Sequence, residues 1–258
     1  MNREEVFNRT ARLTGRATLS AFGETKVIIF GMGGVGSWAA ETLVRSGFTQ
    51  LTIVDADCIA LSNINRQLPA TSTTVGQIKV EAMKARLLDI NPDANIEAIH
   101  AFYTASTQAD YDLRNYDIII DAIDSLSDKA LLILNATRAV AETAHSDRPS
   151  RFYSSMGAAL KLDPSRVSVA EFWKVKGCPL AAALRRKFKK SGEFPARKFK
   201  CVYSDELVSN HPDADVMADN SGAMSFNKVA TNGAMMHITA IFGITLASLA
   251  IRDVMSAS

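Results

Sequence analysis

Lys26-Val27-Ile28-Ile29-Phe30-Gly31-Met32-Gly33-Gly34-Val35-Gly36-Ser37-Trp38-Ala39-Ala40-Glu41-Thr42-Leu43 is the stretch that decides the fold. An apolar run, a glycine loop and a helical segment follow one another without a break, in the order of a strand, a tight turn and a helix N-terminus. Glycines in such a turn let backbone N–H groups approach a phosphate closely, and the dipole of the following helix favours the negative charge that arrives. A second apolar run, Leu51-Thr52-Ile53-Val54, ends in Asp55, at the spacing where an acid reaches a ribose hydroxyl. Strand, loop, helix and acid all point to a bound nucleotide. They do not separate a dinucleotide from ATP.

The rest of the first half repeats the same alternation. Residues 74–88 place Ile78, Ala82, Ala85 and Leu88 on one face, which predicts an amphipathic helix stopped by Asn91-Pro92. Asn95–Ile99 reads as a short strand, 116–121 as a buried strand bounded by acids, 128–145 as a helix and 151–156 as a further strand. Alternating strands and helices predict an α/β fold, a doubly wound, Rossmann-like and mostly parallel sheet covered on both faces. The alternation weakens near residue 150, which divides the chain into a nucleotide-binding domain over 1–160 and a C-terminal extension over 161–258. The extension is expected to hold a short strand around Val167-Ser168-Val169, a basic helix over 179–190, a polar loop through Asp219 and an apolar helix over about 228–254.

A chain of 258 residues, 47% hydrophobic and 22% charged, has enough apolar material for a full core. The net charge of +2 hides a cluster, Arg185, Arg186, Lys187, Lys189, Lys190, Arg197, Lys198 and Lys200, opposed only by Glu193. Such a run is a solvated helix face or a phosphate-binding surface. The first six residues carry acids and no apolar signal core, so a cytoplasmic protein is expected. Cys58, Cys178 and Cys201 are too widely spaced for any Cys-x-x-Cys pair, which excludes a zinc knuckle of the usual spacing and leaves any metal to ride on the nucleotide. From 233 to 251 the sole ionisable residue is His237, and the run reaches the length of a membrane span. Thr239, Thr245 and Ser248 dilute it, which favours a helix buried in the core or a subunit interface over membrane association.

The polar residues around the glycine loop narrow the ligand. Asp57 and Asn63-Ile64-Asn65-Arg66-Gln67 follow Asp55, and Lys79 lies one turn into the amphipathic helix. A dehydrogenase has no need for this run. An enzyme that attacks the α-phosphate of ATP does, because the departing pyrophosphate develops charge that Arg and Lys stabilise and Asn helps to fix. Asp121-Ala122-Ile123-Asp124-Ser125 leaves a strand at its carboxyl edge, where an acid can hold Mg²⁺ over the triphosphate.

With these residues in order, the chain resembles the E1-like adenylating superfamily. Its pattern is the glycine loop, the ribose acid, an Asn-x-x-Arg-Gln element, a lysine on the next helix and an aspartate before a helix. The matching positions are Gly31 to Gly36, Asp55, Asn63 to Gln67, Lys79 and Asp124, over residues 7–160. Within the superfamily the resemblance is to the tRNA threonylcarbamoyladenosine dehydratase branch, through Thr10-Ala11-Arg12-Leu13, Gly33 to Glu41, Asn63 to Gln67 and Asp121 to Ser125. It continues in Pro179-Leu180-Ala181-Ala182, Cys201-Val202-Tyr203-Ser204 and the last apolar helix.

The resemblance implies ATP held by Gly31, Gly33, Gly34, Gly36, Asp55, Asp57, Asn63, Arg66, Gln67, Lys79 and Ser125. It implies catalysis by Arg66, Lys79, Asp124 and Arg12, with Mg²⁺ on Asp124 and with Arg12 reaching across a homodimer. It recruits the basic run as a tRNA surface. The implied reaction is dehydration of N6-threonylcarbamoyladenosine in tRNA through an acyl adenylate. Two other readings stand beside it: adenylation of the C-terminus of a sulfur-carrier protein, and a nucleotide-binding adaptor that binds ATP without turning it over. A monovalent cation on loop carbonyls and a cysteine desulfurase or sulfur-acceptor partner are further associations that these residues leave open. One departure matters. Relatives can carry a cysteine proposed as catalytic before the last helix, and Ser225-Phe226-Asn227-Lys228-Val229-Ala230 has none. Cys201 and Cys58 remain, and Cys201 within Lys200-Cys201-Val202-Tyr203 reads as a small buried residue.

Overall fold

The computed structural model describes residues 2–212 and 232–257, and in it the glycine stretch opens the first strand–helix unit of a seven-stranded sheet. The strands are β1 (Lys26–Phe30), β2 (Gln50–Val54), β3 (Asn95–Ile99), β4 (Ile118–Asp121), β5 (Arg151–Ser155), β6 (Val167–Glu171) and β7 (Lys200–Ser204), in the order β3-β2-β1-β4-β5-β7-β6. Neighbours run parallel throughout except β6, which is antiparallel to β7. The winding reverses between β1 and β4, so the loops leaving these strands diverge and open a crevice at the carboxyl edge, where ligands of such sheets bind.

Side-chain alternation along the central strands feeds two cores. Val27 and Ile29 of β1, with Ile118 and Ile120 of β4, face one; Ile28, Phe30 and Ile119 face the other. The first core is covered by α3 (Arg16–Glu24), α4 (Gly36–Ser46), α5 (Lys79–Ile90) and α8 (Met236–Ala257), the second by α6 (Leu126–Glu142) and α7 (Pro179–Ser191). Strands buried on both faces must be apolar at successive positions, which explains the unbroken runs in β1 and β4. The short helices α1 (Arg3–Val6) and α2 (Asn8–Thr14) join α3 at the amino edge. There Arg3 Nη2 donates to Gly47 O at 3.2 Å, and Thr49 Oγ1 donates to Gly23 O at 2.6 Å.

The structure departs from the sequence reading in two places. The helix expected from residue 74 begins at Lys79, because the preceding residues form a turn tied to the segment after β2: Gly76 N donates to Ile59 O at 2.8 Å, and Ile59 N to Gln77 O at 2.9 Å. Gly76 itself sits at φ +87°, outside the helical region. The sheet continues past residue 150, where the alternation weakens. α7 crosses over to β7, and β7 pairs in parallel with β5, Tyr153 opposite Lys200 and Ser155 opposite Val202. The second departure is the apolar helix, which begins at Met236 rather than near 228, with 232–235 non-helical; residues 213–231, which hold the far part of the polar loop through Asp219 and the segment 225–230, lie outside the described residues.

By length and composition α8 could cross a membrane. Within the fold it packs along α4 and buries Ile238, Phe242, Leu246 and Leu249. Gly243 allows the closest approach, since a Cβ there would collide with Val35 O and lie 2.7 Å from Trp38 Cβ. At the far end Tyr153 OH donates to Asp253 Oδ2, and Arg151 Nε stands 3.4 Å from the same carboxylate. We predict that Gly243→Ala lowers unfolding free energy by about 1–3 kcal/mol through overpacking of α8 against α4. Urea denaturation checks this; an unchanged midpoint would show that the helix pair yields without strain.

Candidate nucleotide site

Two glycines shape the loop by what they exclude. Gly31 sits at φ +93°, and a Cβ there would lie 2.7 Å from Ala122 O; at Gly36 a Cβ would collide with Gly31 O. Only glycine meets both demands. At Gly33 the nearest atom to such a Cβ is Gln67 Nε2 at 3.8 Å, and at Gly34 it is Thr239 of α8 at 3.1 Å. Gly33 therefore leaves room on the concave side, ahead of the N-terminus of α4.

Asp55, at the end of β2, turns back onto this loop. Its Oδ2 accepts from Met32 N at 2.6 Å and its Oδ1 from Asp57 N at 2.9 Å. Lys79, 3% exposed, places Nζ 2.9 Å from Asp57 Oδ2 and 3.4 Å from Asp55 Oδ1. Burial raises the Asp55 carboxyl above its ordinary value against the pull of Lys79. Glycine loop, Asp55, Asp57 and Lys79 thus form one cluster.

The Asn63–Gln67 element is stitched to the same loop. Ser37 Oγ donates to Gly33 O at 2.7 Å and accepts from Leu68 N at 3.3 Å, while Trp38 Nε1 donates to Arg66 O at 3.4 Å. Asn63 is buried, and its Oδ1 accepts from Ala60 N at 3.1 Å, so it shapes the turn. Asn65 Nδ2 donates to Ala234 O at 2.9 Å and ties the element to the entrance of α8. Arg66 is half-buried and rests on Ser62 O and Asn65 Oδ1, both at 2.9 Å. Gln67 is 8% exposed, yet its Oε1 has no hydrogen-bond partner. A buried acceptor left in this state is expensive. A hydroxyl or amine of a bound nucleotide is a donor of the kind it lacks, and the open side at Gly33 gives a phosphate room, so the cradle fits ATP.

Across the crevice Asp124 and Ser125 stand exposed on the loop between β4 and α6. Beneath them lies a pair that sequence reasoning missed. Lys129 and Asp121 are both fully buried; Lys129 Nζ reaches Asp121 Oδ2 at 2.8 Å and donates to Ile123 O at 2.8 Å. Asp121 also accepts from Ile123 N at 3.0 Å and from Ser154 Oγ at 2.6 Å. The available signal was a lysine among Ala130, Leu132 and Ile133, on what is otherwise the apolar face of α6.

Other expected residues lie elsewhere. Arg12 is exposed on α2, its Nε donating to Asn8 Oδ1 at 2.7 Å, and one chain does not bring it to the glycine loop. Cys201 is fully buried in β7, where burial pushes its thiol well up, and this disfavours the nucleophilic thiolate. Cys58 is exposed, in a backbone bridge with Ile78. Among the described residues no group of three or more His, Cys, Asp or Glu is placed to hold a metal ion. In the basic run Arg185 is spoken for, donating to Phe172 O at 3.1 Å and Val175 O at 3.0 Å; Arg186, Lys187, Lys189, Lys190, Arg197 and Lys198 are exposed.

The ThiF family model matches residues 7–158. A tRNA threonylcarbamoyladenosine dehydratase of Haemophilus influenzae is 35% identical, over 94% of this chain and 90% of its own length. The crystal structure of the E. coli tRNA N6-threonylcarbamoyladenosine dehydratase in complex with AMP matches with a TM-score of 0.81 and 31% identity, over 98% of this chain and 96% of that one. Its complex with ATP matches with a TM-score of 0.79 and 32% identity, over 98% and 95% of the two chains.

The buried pair makes a prediction independent of ligand. Lys129→Ala leaves the buried Asp121 carboxyl without its cation, which should reduce unfolding free energy by about 3–5 kcal/mol. Denaturant titration measures this, and a loss below about 1 kcal/mol would mean that the pair does not carry the loop.

Proposed function

The chain belongs to the ThiF family, and we propose that it uses ATP to dehydrate N6-threonylcarbamoyladenosine at position 37 of tRNA through an acyl adenylate. The observation that carries this reading is that likeness to the dehydratases spans both the nucleotide half and the extension with α7 and α8. Molybdopterin-synthase adenylyltransferases are alike in sequence over less than half of this chain.

The chemistry is a two-step displacement. A carboxylate oxygen of the threonyl group attacks the α-phosphorus of ATP, the bond to the bridging oxygen breaks, and pyrophosphate leaves. The carboxylate was a poor electrophile; as a mixed anhydride with AMP it is a good one, and the carbamoyl group beside it closes a ring with high effective concentration. AMP departs with one former carboxylate oxygen. The net change is loss of one water, with no side-chain nucleophile, so the buried Cys201 has no step to perform.

The protein's share is position and charge. Backbone N–H groups at the start of α4 face the phosphates, and Asp55 holds the ribose. Gln67 and Asn63 complete the nucleotide pocket, with Asp57 steadying Lys79. Arg66 and Lys79 neutralise the phosphate chain, joined by Arg12 from the partner subunit of a homodimer. Asp124, with Ser125 beside it, would hold Mg²⁺, which supplies charge neutralisation on the triphosphate. The segment 161–258 packs the dimer and presents the exposed basic face of α7 to tRNA phosphates in the cytoplasm. Neither a monovalent cation nor a sulfur-transfer partner enters this scheme.

Incubating the protein with ATP and tRNA carrying the threonylcarbamoyl group should yield AMP, pyrophosphate and a nucleoside lighter by one water, read by mass spectrometry. Unchanged tRNA, with pyrophosphate exchange driven by a small carrier protein, would replace this reading by carrier activation. Asp124→Ala should lower turnover at least ~100-fold with the thermal midpoint unchanged, because the side chain is exposed. Lys79 is a poorer probe, since its removal leaves Asp55 and Asp57 facing each other without a cation. Arg12→Ala should also be inactive alone. Mixed with Asp124→Ala subunits it should regain about a quarter of wild-type activity, one intact site per mixed dimer. No recovery after demonstrated subunit exchange would rule out an arginine supplied in trans.

A further inference from the structure

Phosphate binding accounts for the exposed cations of the extension but not for two aromatic rings among them. Trp173 is 39% exposed and Phe194 54%, with ring centroids 6.2 Å apart and planes inclined by 42°. Below them the aromatic group is buried and fixed. Phe172, fully buried, meets Trp173 edge-on at 5.1 Å and stacks on Phe199 at 5.0 Å. Trp173 N donates to Glu171 Oε2 at 3.2 Å, and Arg185 holds the carbonyls on either side. The indole is thus presented on a rigid turn, at little entropic cost to whatever it meets.

The charge around the pair is of one sign. Lys174 and Lys176 follow Trp173, Lys189 and Lys190 close α7, and Arg197 and Lys198 follow Phe194; all are exposed, and Glu193 is the sole acid from Phe172 to Lys200. The pair also has a defined place. α7 starts near the carboxyl edge, where Gly177 abuts Asp205, and ends at the amino edge, where β7 begins. The rings therefore stand about 20 Å from the crevice, at the far end of the basic helix.

We propose that Trp173 and Phe194 form a stacking platform for an unpaired base of the substrate tRNA, distinct from the reacting adenosine. This rests on the dehydratase reading above. Two exposed rings beside closely spaced cations match a ligand that joins an aromatic plane to a phosphate in every unit, as an unstacked nucleotide does. Base faces stack on Trp and Phe with little sequence preference, while the flanking Lys and Arg take the backbone. An acidic protein surface matches the charge but has no need of two exposed rings.

The test separates stacking from charge. tRNA affinity is measured across a salt series for wild type, for Trp173→Ala combined with Phe194→Ala, and for Arg186, Lys187, Lys189 and Lys190 all changed to Gln. The ring variant should bind roughly 10-fold more weakly at every salt concentration, with an unchanged log–log slope. The Gln variant should lose slope, about one unit per lost contact. Trp173→Phe should retain most of the affinity, and turnover of the ring variant at saturating tRNA should match wild type. Where the double variant lacks a normal thermal transition, Trp173→Gln takes its place, with the same loss expected. Wild-type affinity in a folded ring variant, or a loss that flattens the slope, would overturn the platform and leave the dehydratase reading standing. A wild-type protein that binds an acidic protein through these rings while leaving tRNA unmodified would overturn both.

Discussion

A lysine and an aspartate with no exposure to solvent set the measure of the crevice. Taking either charge out of water costs several kcal/mol, so the pair persists only because its geometry is complete. Lys129 Nζ meets Asp121 Oδ2 at 2.8 Å and the carbonyl of Ile123, while the same carboxylate accepts from Ile123 N and Ser154 Oγ. These bonds fix the backbone as it leaves β4. That backbone presses Ala122 O against Gly31, which must then take a left-handed conformation and be glycine. The turn so produced aims the N-terminus of α4 into the opening between β1 and β4. Asp55 closes the other side by accepting from Met32 N. The nucleotide site is what remains when these three constraints are met together.

α8 belongs to the same construction. Read as a run of apolar residues, it is as compatible with lipid as with a core. Gly243 lets α8 lie directly against α4, Thr239 sits over Gly34, and Asn65 reaches the carbonyl of Ala234 just ahead of the helix. The glycine loop is thereby backed by an element some two hundred residues later in the chain. A change in α8 is felt at the glycine loop, and the extension joins the sheet through β6 and β7.

The parts legible in the sequence are those whose cause is local. A strand, four glycines, a helix start and Asp55 within one short stretch carry their own reason, and β1 to β5 fall close to where periodicity puts them. What escaped has partners that spacing does not reveal. Arg185 reads as a free cation, but it holds the carbonyls of Phe172 and Val175. Lys129 escaped because its partner, Asp121, lies on β4 rather than on its own helix. β7 escaped because its three apolar residues, Cys201 to Tyr203, sit between polar ends directly after a basic run. The contacts of Lys79 with Asp55 and Asp57 are likewise ones that spacing does not reveal. Arg12 belongs to no site that a single chain completes.

The proposed reaction attacks the α-phosphorus rather than the terminal phosphate, and the fate of one oxygen atom decides between them. The direct measurement is turnover of tRNA whose threonyl carboxylate carries oxygen-18, followed by mass spectrometry of the nucleotide products. The account predicts one labelled oxygen in AMP, none in pyrophosphate, and a cyclised nucleoside that keeps the other. Label in orthophosphate, with ADP as the nucleotide product, would mean that the carboxylate attacks the γ-phosphorus and would contradict the adenylate.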